Sequence, residues 1–316
     1  MTSPPHYTRA LSLLAAPAWR PCESASEPSR IPNVVHQPWL HGAPLRWEHV
    51  LGMVSVRWTV QPENYVLYYD RKPPPSPQWR CACQHIATRC VRASPPVYVP
   101  GTHRLLKLMH RPDMMRLELL IKHGGIFLDH DAYVFRSLER LRRCCPPDER
   151  PPTGARVSCA AAPVVAGFEQ ATPVLRKLNP GVLLAERNSP FLQMIRASWQ
   201  NYSVLWDYNC CEAAYKLHEQ HPEFRAHLRA DIGPLPRYAS QRQYDEHLAQ
   251  ATVVHVTALS KAWRQRDLRK FGVMRAIAAH VISLANRSVT RMTTGQQECI
   301  ALVNSQMESR WKPRIH

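Results

Sequence analysis

The segment Gly124-Gly125-Ile126-Phe127-Leu128-Asp129-His130-Asp131 constrains this chain more than any other. A double glycine, three apolar residues and two aspartates one residue apart predict a short buried strand over 126–128 that ends in a pair of carboxylates. Side chains alternate along a strand, but where the chain leaves the sheet Asp129 and Asp131 can turn toward one ligand. Two hard oxygen donors at one point suit Mg²⁺ or Mn²⁺, which keep positions open for substrate phosphates. In α/β sheets, ligands bind beyond the carboxyl ends of the strands, where this pair would fall. The blander reading is a solvated turn, with Gly124-Gly125 no more than a helix stop.

The flanks predict alternating strands and helices. Residues 31–37 (IPNVVHQ) predict a first strand, stopped by Pro38. Residues 45–59 predict a helix, with Trp47, Val50, Leu51, Val54 and Trp58 at three- and four-residue steps. Residues 65–69 (YVLYY) predict a second strand, and the proline-rich stretch 71–97 an irregular loop. Residues 102–123 predict a helix that restarts at Pro112. Asp113 then lies in a first turn, where the dipole favours a carboxylate, and shares a face with Arg116. Farther on, the pattern predicts a short helix at 137–144, a loop at 146–153, one or two strands within 156–167 and a turn into a strand at 179–185. Helices at 190–200 and 210–221, a strand at 251–256 and an amphipathic helix at 272–285 follow. The expectation is an α/β fold with a mostly parallel, mixed sheet.

Charge narrows the partners only partly. Lys plus Arg number 41 against 24 for Asp plus Glu, a formal +17. That balance suits nucleic acid, an anionic membrane or an anionic small substrate. No zinc-finger, RNP-type or basic-zipper pattern accompanies it, so no specific nucleic-acid partner is expected. No run of roughly 18 apolar residues predicts a membrane span. None of the ten cysteines forms a C-x-x-C pair, which leaves a four-thiolate zinc site without support. Disulfides in an oxidising compartment are compatible with the count, with no pairing legible. Asn201-Tyr202-Ser203 and Asn286-Arg287-Ser288 are formal glycosylation sequons. Residues 1–30, rich in Pro and Ser, predict a disordered or loosely attached arm.

The residues together resemble one family. Ile31-Pro32-Asn33-Val34-Val35-His36-Gln37-Pro38-Trp39 is similar to the I-P-x-x-x-H-Q-x-W opening of a group of DXD-containing sugar transferases. This is the glycosyltransferase family 32 type, which includes the yeast initiating mannosyltransferase and the α-1,4-galactosyl- and α-1,4-N-acetylglucosaminyltransferases. Residues 111–138 (RPDMMRLELLIKHGGIFLDHDAYVFRSL) resemble its D-x-x-R-x-x-x-L-x-x-x-G-G-x-Y-x-D-x-D core. Pro62-Glu63-Asn64-Tyr65 with Tyr68-Tyr69-Asp70, and residues 178–191 (LNPGVLLAERNSPF), match two further blocks in part. The chain departs from the pattern at Pro112 and at Pro180, and no stretch of it is expected to serve as the usual N-terminal anchor.

The resemblance implies a GT-A fold: a single Rossmann-like domain over 31–270, with residues 271–316 a helical extension packed on it. It implies a retaining, metal-dependent transferase that moves a hexose or N-acetylhexosamine from a UDP- or GDP-sugar to a glycan or glycolipid, in the Golgi or secretory lumen. Asp129 and Asp131 would hold Mn²⁺ (or Mg²⁺), and Arg116 would stabilise the sugar–phosphate region. Asp113, His36, Gln37, Trp39, Gly124, Gly125 and Asn179 would shape the donor site. His255 would either approach the metal or sit as a core histidine at a strand end, beside a stretch that includes Trp263.

Each residue also has a plain structural reading: Arg116 as a helical partner of Asp113, and Trp39 and Tyr68 as core aromatics. Two rivals remain at this point. One is a haloacid-dehalogenase-type phosphatase with Asp129 as nucleophile, although Tyr133 stands where such enzymes carry Thr or Val. The other is a non-catalytic basic binding protein.

Overall fold

The computed structural model describes residues 30–99, 104–143, 164–170, 176–205, 207–221, 223–224, 226–229, 231–234, 241–256 and 268–311. The expected arm up to residue 29, the loop at 146–153, the first part of the 156–167 stretch and Trp263 lie outside these residues. The first half runs β1 (Val34–Trp39), α1 (Trp47–Thr59), β2 (Asn64–Tyr69), α2 (Pro77–Arg80), β3 (Arg89–Arg92), α3 (His110–His123), β4 (Gly125–Leu128), β5 (Ala132–Val134) and α4 (Glu139–Arg143). The second runs β6 (Val164–Gln170), β7 (Arg176–Ala185), α5 (Pro190–Ser198), α6 (Ala213–Gln220), β8 (His227–Arg229), β9 (Ile232–Pro234), α7 (Gln241–Gln250), β10 (Val253–His255), α8 (Leu268–Asn286) and α9 (Thr294–Trp311).

Among the described residues, seven strands form one sheet in the order β3-β2-β1-β4-β7-β6-β8. The β3, β2, β1 and β4 strands are parallel, β7 runs antiparallel to both neighbours, and β8 is parallel to β6. A second sheet, β5-β10-β9, pairs β10 antiparallel to β5 and parallel to β9. The fold is therefore α/β with a mostly parallel mixed sheet, as the alternation predicts.

The alternation of side chains along the strands divides the core in two. Ile126, Leu128, Val182 and Leu184 face a cluster that includes Val50 and Val54 of α1. Phe127, Leu183 and Ala185 face the opposite way, with Leu117 and Leu120 of α3 and Phe191 of α5. Ile277 and Val281 of α8 and Ile300 and Val303 of α9 enter the same cluster as α1. The C-terminal helices thus complete one layer of the sandwich.

Three sequence expectations are corrected. Pro38 does not stop β1, which continues to Trp39. The β1–β4 pairing covers only Val35 and His36, so no neighbour on that side needs an N–H from residue 38. Asn179-Pro180 is not a turn but part of the ten-residue β7. The β6–β7 register shifts between Ala166 and Gly167, leaving Pro180 outside the ladder pairs, where a missing donor is tolerated.

The stretch 71–97 is not wholly irregular either. Ser76 accepts from Trp79 N–H at 3.1 Å with Pro77 at the start of α2, a cap signal present in the sequence. A π-helical turn, Cys81–Ile86, and β3 follow.

Two disulfides brace this region: Cys83–Cys90, and Cys81–Cys299 across 218 residues, which ties the π-helical turn to α9. Closing so long a loop restricts the unfolded chain most. Replacing Cys81 and Cys299 together by serine should therefore lower stability by about 3–5 kcal/mol, read as a reduced urea midpoint. A midpoint that did not move would remove the Cys81–Cys299 link.

Candidate active site

The two aspartates arrive as their strand implies. The β4 strand ends at Leu128, and the chain turns at once, with Ala132 N–H donating to Asp129 O at 3.1 Å. Backbone bonds fix the turn on both flanks. Asp129 N–H donates to Gly181 O at 2.8 Å, and Val256 N–H donates to Asp131 O at 2.9 Å. Gln37, fully buried in β1, donates its side-chain N–H to Asp129 O at 3.1 Å and accepts from Tyr65 Oη.

Beyond the turn lies His255, at the end of β10. Its Nε2 stands 3.0 Å from Asp131 Oδ1 and 3.7 Å from Asp129 Oδ2. One ligand atom from each of these three residues lies within 4.8 Å of the others. Nδ1 of His255 is 3.1 Å from Asn179 Oδ1, which also accepts from Gly181 N–H at 2.9 Å. Asn179 therefore orients the imidazole rather than projecting into open space.

Gly181, which the sequence reading did not single out, gives the ring its room. A Cβ there would come 2.4 Å from His255 Cε1. The Asn-Pro-Gly run was the available signal.

On the other side, Arg116 of α3 is buried between two carboxylates. Nη2 lies 2.9 Å from Asp129 Oδ1 and Nη1 3.2 Å from Asp113 Oδ1, and the guanidinium sits 4.5 Å over the Phe127 ring. Burial pushes the Asp113 carboxyl up to about 6, against the pull of Arg116. Cys210, adjacent to Cys211 in a π-helical turn Tyr208–Glu212, pulls the same carboxyl slightly down. Both cysteines, compatible with disulfides on the count alone, are free thiols buried behind Asp113.

Of the remaining expected residues, His36 is internal. Burial pushes its pKa down to about 4, so the ring is neutral. Nε2–H donates to Gly124 O at 3.0 Å and Nδ1 accepts from Tyr68 Oη at 2.9 Å. The ring thus braces the turn before β4. Gly124 and Gly125 both have positive φ, and a Cβ on Gly125 would lie 2.5 Å from Val34 O. Trp39 is buried, with Nε1–H donating to Ala43 O, and it packs against His49 and His130 at centroid distances of 4.7 and 4.9 Å. The structure therefore brings Asp113, Arg116, Asp129, Asp131, Asn179 and His255 to one place. His36, Gln37, Trp39, Gly124 and Gly125 support the strands and the turn behind them.

The charge state follows from the geometry. Burial disfavours a charged His255, but Asp131 beside it outweighs this and holds the pKa above the ordinary histidine range. Burial likewise pushes Asp131 up, and His255 more than reverses it, leaving the carboxyl at about 2. Without a cation, Nε2–H donates to Asp131 and Nδ1–H to Asn179. A cation could take the Nε2 position while Nδ1–H stayed on Asn179, the arrangement that fixes a histidine ligand's tautomer. Two carboxylates and one oriented imidazole thus fit a divalent ion.

That exchange would make metal binding pH-dependent. Below the raised His255 pKa a proton holds the Nε2 lone pair and competes with the ion; above it the competition ends. Mn²⁺ affinity should therefore fall about tenfold per pH unit on the acid side and level off on the alkaline side. Calorimetric titration across the histidine range reads this directly, and a flat affinity would exclude His255 as a ligand.

Comparisons with known proteins bear on the same segment. Residues 89–146, which hold β3, α3, β4, β5 and both aspartates, match the family model for the glycosyltransferase sugar-binding region containing a DXD motif. No curated protein matches the chain in sequence. Among solved structures it is similar to the PaToxG glycosyltransferase, at 12% identity over 90% of this chain and 88% of that one, with a TM-score of 0.42. It is also similar to the apo form of the glycosyltransferase GlyE of Streptococcus pneumoniae TIGR4, at 11% identity over 82% and 64%, with a TM-score of 0.47. A third is the galactosyltransferase LgtC in complex with donor and acceptor sugar analogs, at 13% identity over 82% and 96%, with a TM-score of 0.39.

Proposed function

We propose that this chain is a metal-dependent glycosyltransferase of the GT-A type. It moves a hexose or N-acetylhexosamine from a UDP- or GDP-sugar to a glycan or glycolipid, with retention at the anomeric carbon. One observation carries the reading: Asp129, Asp131 and His255 bring one donor atom each to a single point at the carboxyl edge of parallel strands. The match of residues 89–146 to a DXD-containing sugar-binding region supports it.

A bound Mn²⁺ or Mg²⁺ would act there as a Lewis acid on the donor's diphosphate. The chain's own residues do the rest. Arg116, held by Asp113 and Asp129, keeps a fixed positive charge beside the leaving diphosphate, and needs no reorganisation during the reaction. Asp113 accepts from hydroxyls of the donor sugar. The bond from the anomeric carbon to the phosphate oxygen breaks, with its electron pair going to the phosphate. The acceptor oxygen bonds to the same face of the carbon, and its proton passes to the departing phosphate oxygen. Such a step needs no enzyme carboxylate as nucleophile. The two disulfides fit an oxidising compartment such as the secretory lumen.

Hydrolysis of UDP-Gal, UDP-GlcNAc, UDP-Glc and GDP-Man with and without Mn²⁺ tests the proposal. Metal-dependent release of UDP or GDP from at least one donor is expected. Phosphate release from simple phosphoesters, with every sugar nucleotide left intact, would point to the phosphatase chemistry instead.

A further inference from the structure

Nine large apolar side chains are exposed among the described residues, and seven of them fall in two loops. Five lie between residues 97 and 109, including Leu106, Leu108 and Met109 at 68%, 56% and 52% exposure; Val204 and Leu205 form the other group. The loops are neighbours. His110 Nδ1 lies 2.7 Å from Tyr202 Oη, with the two rings 5.3 Å apart. Leu105 N–H donates to Val97 O at 2.9 Å, and Tyr98 bridges Arg104. Leu105 itself is buried in the cluster under α3, so the loop is anchored while the leucines beside it face water. A concentration of exposed apolar surface of this kind marks an interaction site rather than ordinary scatter.

The charge around it selects the partner. From Val97 to Pro112 the sequence holds Arg104, Lys107 and Arg111 and no carboxylate, in a chain of net charge +17. Arg104 and Lys107 are exposed among the apolar tips. Protruding leucines interleaved with basic residues suit a headgroup layer, where apolar tips enter the acyl boundary and cations meet anionic lipid. We propose that residues 104–109, with Val97, Tyr98, Val204 and Leu205, form a membrane-docking surface for an anionic lipid bilayer.

Its position follows from the fold. Helix α3 runs from His110 to His123 and β4 returns from Gly125, so the N-terminal end of α3 lies at the edge of the sheet where Asp129 emerges. Asp113 follows three residues after His110. The bilayer would therefore lie beside the aspartate pair. That this places the headgroups of a membrane-held acceptor near the donor rests on the transferase reading; the docking surface does not.

Co-sedimentation of the full chain with vesicles, without nucleotide, tests it. Vesicles of phosphatidylcholine alone are compared with vesicles containing phosphatidylserine, at low and high salt. Binding to the anionic vesicles, weakened by salt, is expected. Replacing Leu106, Leu108 and Met109 together by serine should weaken binding at least about tenfold, and Arg104→Gln with Lys107→Gln about 25-fold, with unchanged melting temperatures.

Absence of vesicle binding, equal binding to neutral vesicles, or full binding by the triple serine variant would each overturn the proposal. So would a dimer, dispersed by the triple variant, in a chain that ignores vesicles, because the surface would then join two copies. Donor hydrolysis by the same variants separates the two claims: lost docking with retained hydrolysis leaves the transferase reading intact. Docking by a chain inactive on every donor does the reverse.

Discussion

Asp131→Ala should lower metal-dependent turnover of the sugar nucleotide by about a thousandfold or more while leaving the fold in place. The expected loss is large because Asp131 serves two ends at once. On the proposed reading its carboxylate is a metal donor, and it also faces His255 Nε2 at 3.0 Å, so its removal strips one ligand and changes the setting of a second. Stability should change little. Once Asp131 is removed the imidazole can discharge its proton, and Nδ1–H remains on Asn179. Asp131→Asn separates charge from shape, and should lose nearly as much turnover with still less change in melting temperature. Near-normal, Mn²⁺-dependent transfer by either variant would remove the assignment.

Arg116→Met should destabilise the chain by about 3 kcal/mol at neutral pH, the largest expected effect of a single substitution on folding. The Arg116 guanidinium is the positive charge between Asp113 and Asp129, and methionine keeps its volume over Phe127 without the charge. Asp129 is 25% exposed and can recover solvation, so most of the loss falls on Asp113. The pH dependence has a definite sign. The Asp113 pKa is raised by burial to about 6, above its unfolded value, so the proton favours the folded state at low pH. That stabilisation is lost as pH rises through about 6, and it is lost more completely once Arg116 no longer offsets the charged form. The deficit of the variant should therefore be greatest near neutrality and shrink as pH falls below about 6. Urea midpoints on either side of that pH measure it, and a pH-independent deficit would show that Asp113 does not rely on Arg116.

The central block was legible because local signals agreed there. A helix stop at Gly124, an apolar run and paired carboxylates all demand the same strand-and-turn geometry, and the structure has it. Arg116 and Asp113 were legible as a pair from their spacing alone, but no local pattern links that pair to Asp129. His255 was the harder case. It lies 124 residues from Asp131, and nothing local separates a ligand histidine from a core one.

Residues such as His36 show the converse. Their place in a recognisable block says nothing of internal partners, whereas the ring is bonded to Gly124 O and Tyr68. The prolines at 38 and 180 misled because a strand tolerates proline wherever the neighbouring ladder has ended or bulged. That is a property of the partner strand, invisible in the residue itself.

The two sheets meet at the Asp129–Asp131–His255 cluster. Asn179 belongs to the seven-stranded sheet, His255 to the three-stranded one, and Asp129 and Asp131 to the turn between them. A chain in which only one sheet has formed carries the acidic pair but has no imidazole to close the cage. On the proposed reading, tight capture of a cation would report that tertiary assembly is finished, and an immature molecule would stay chemically silent until its last pieces dock.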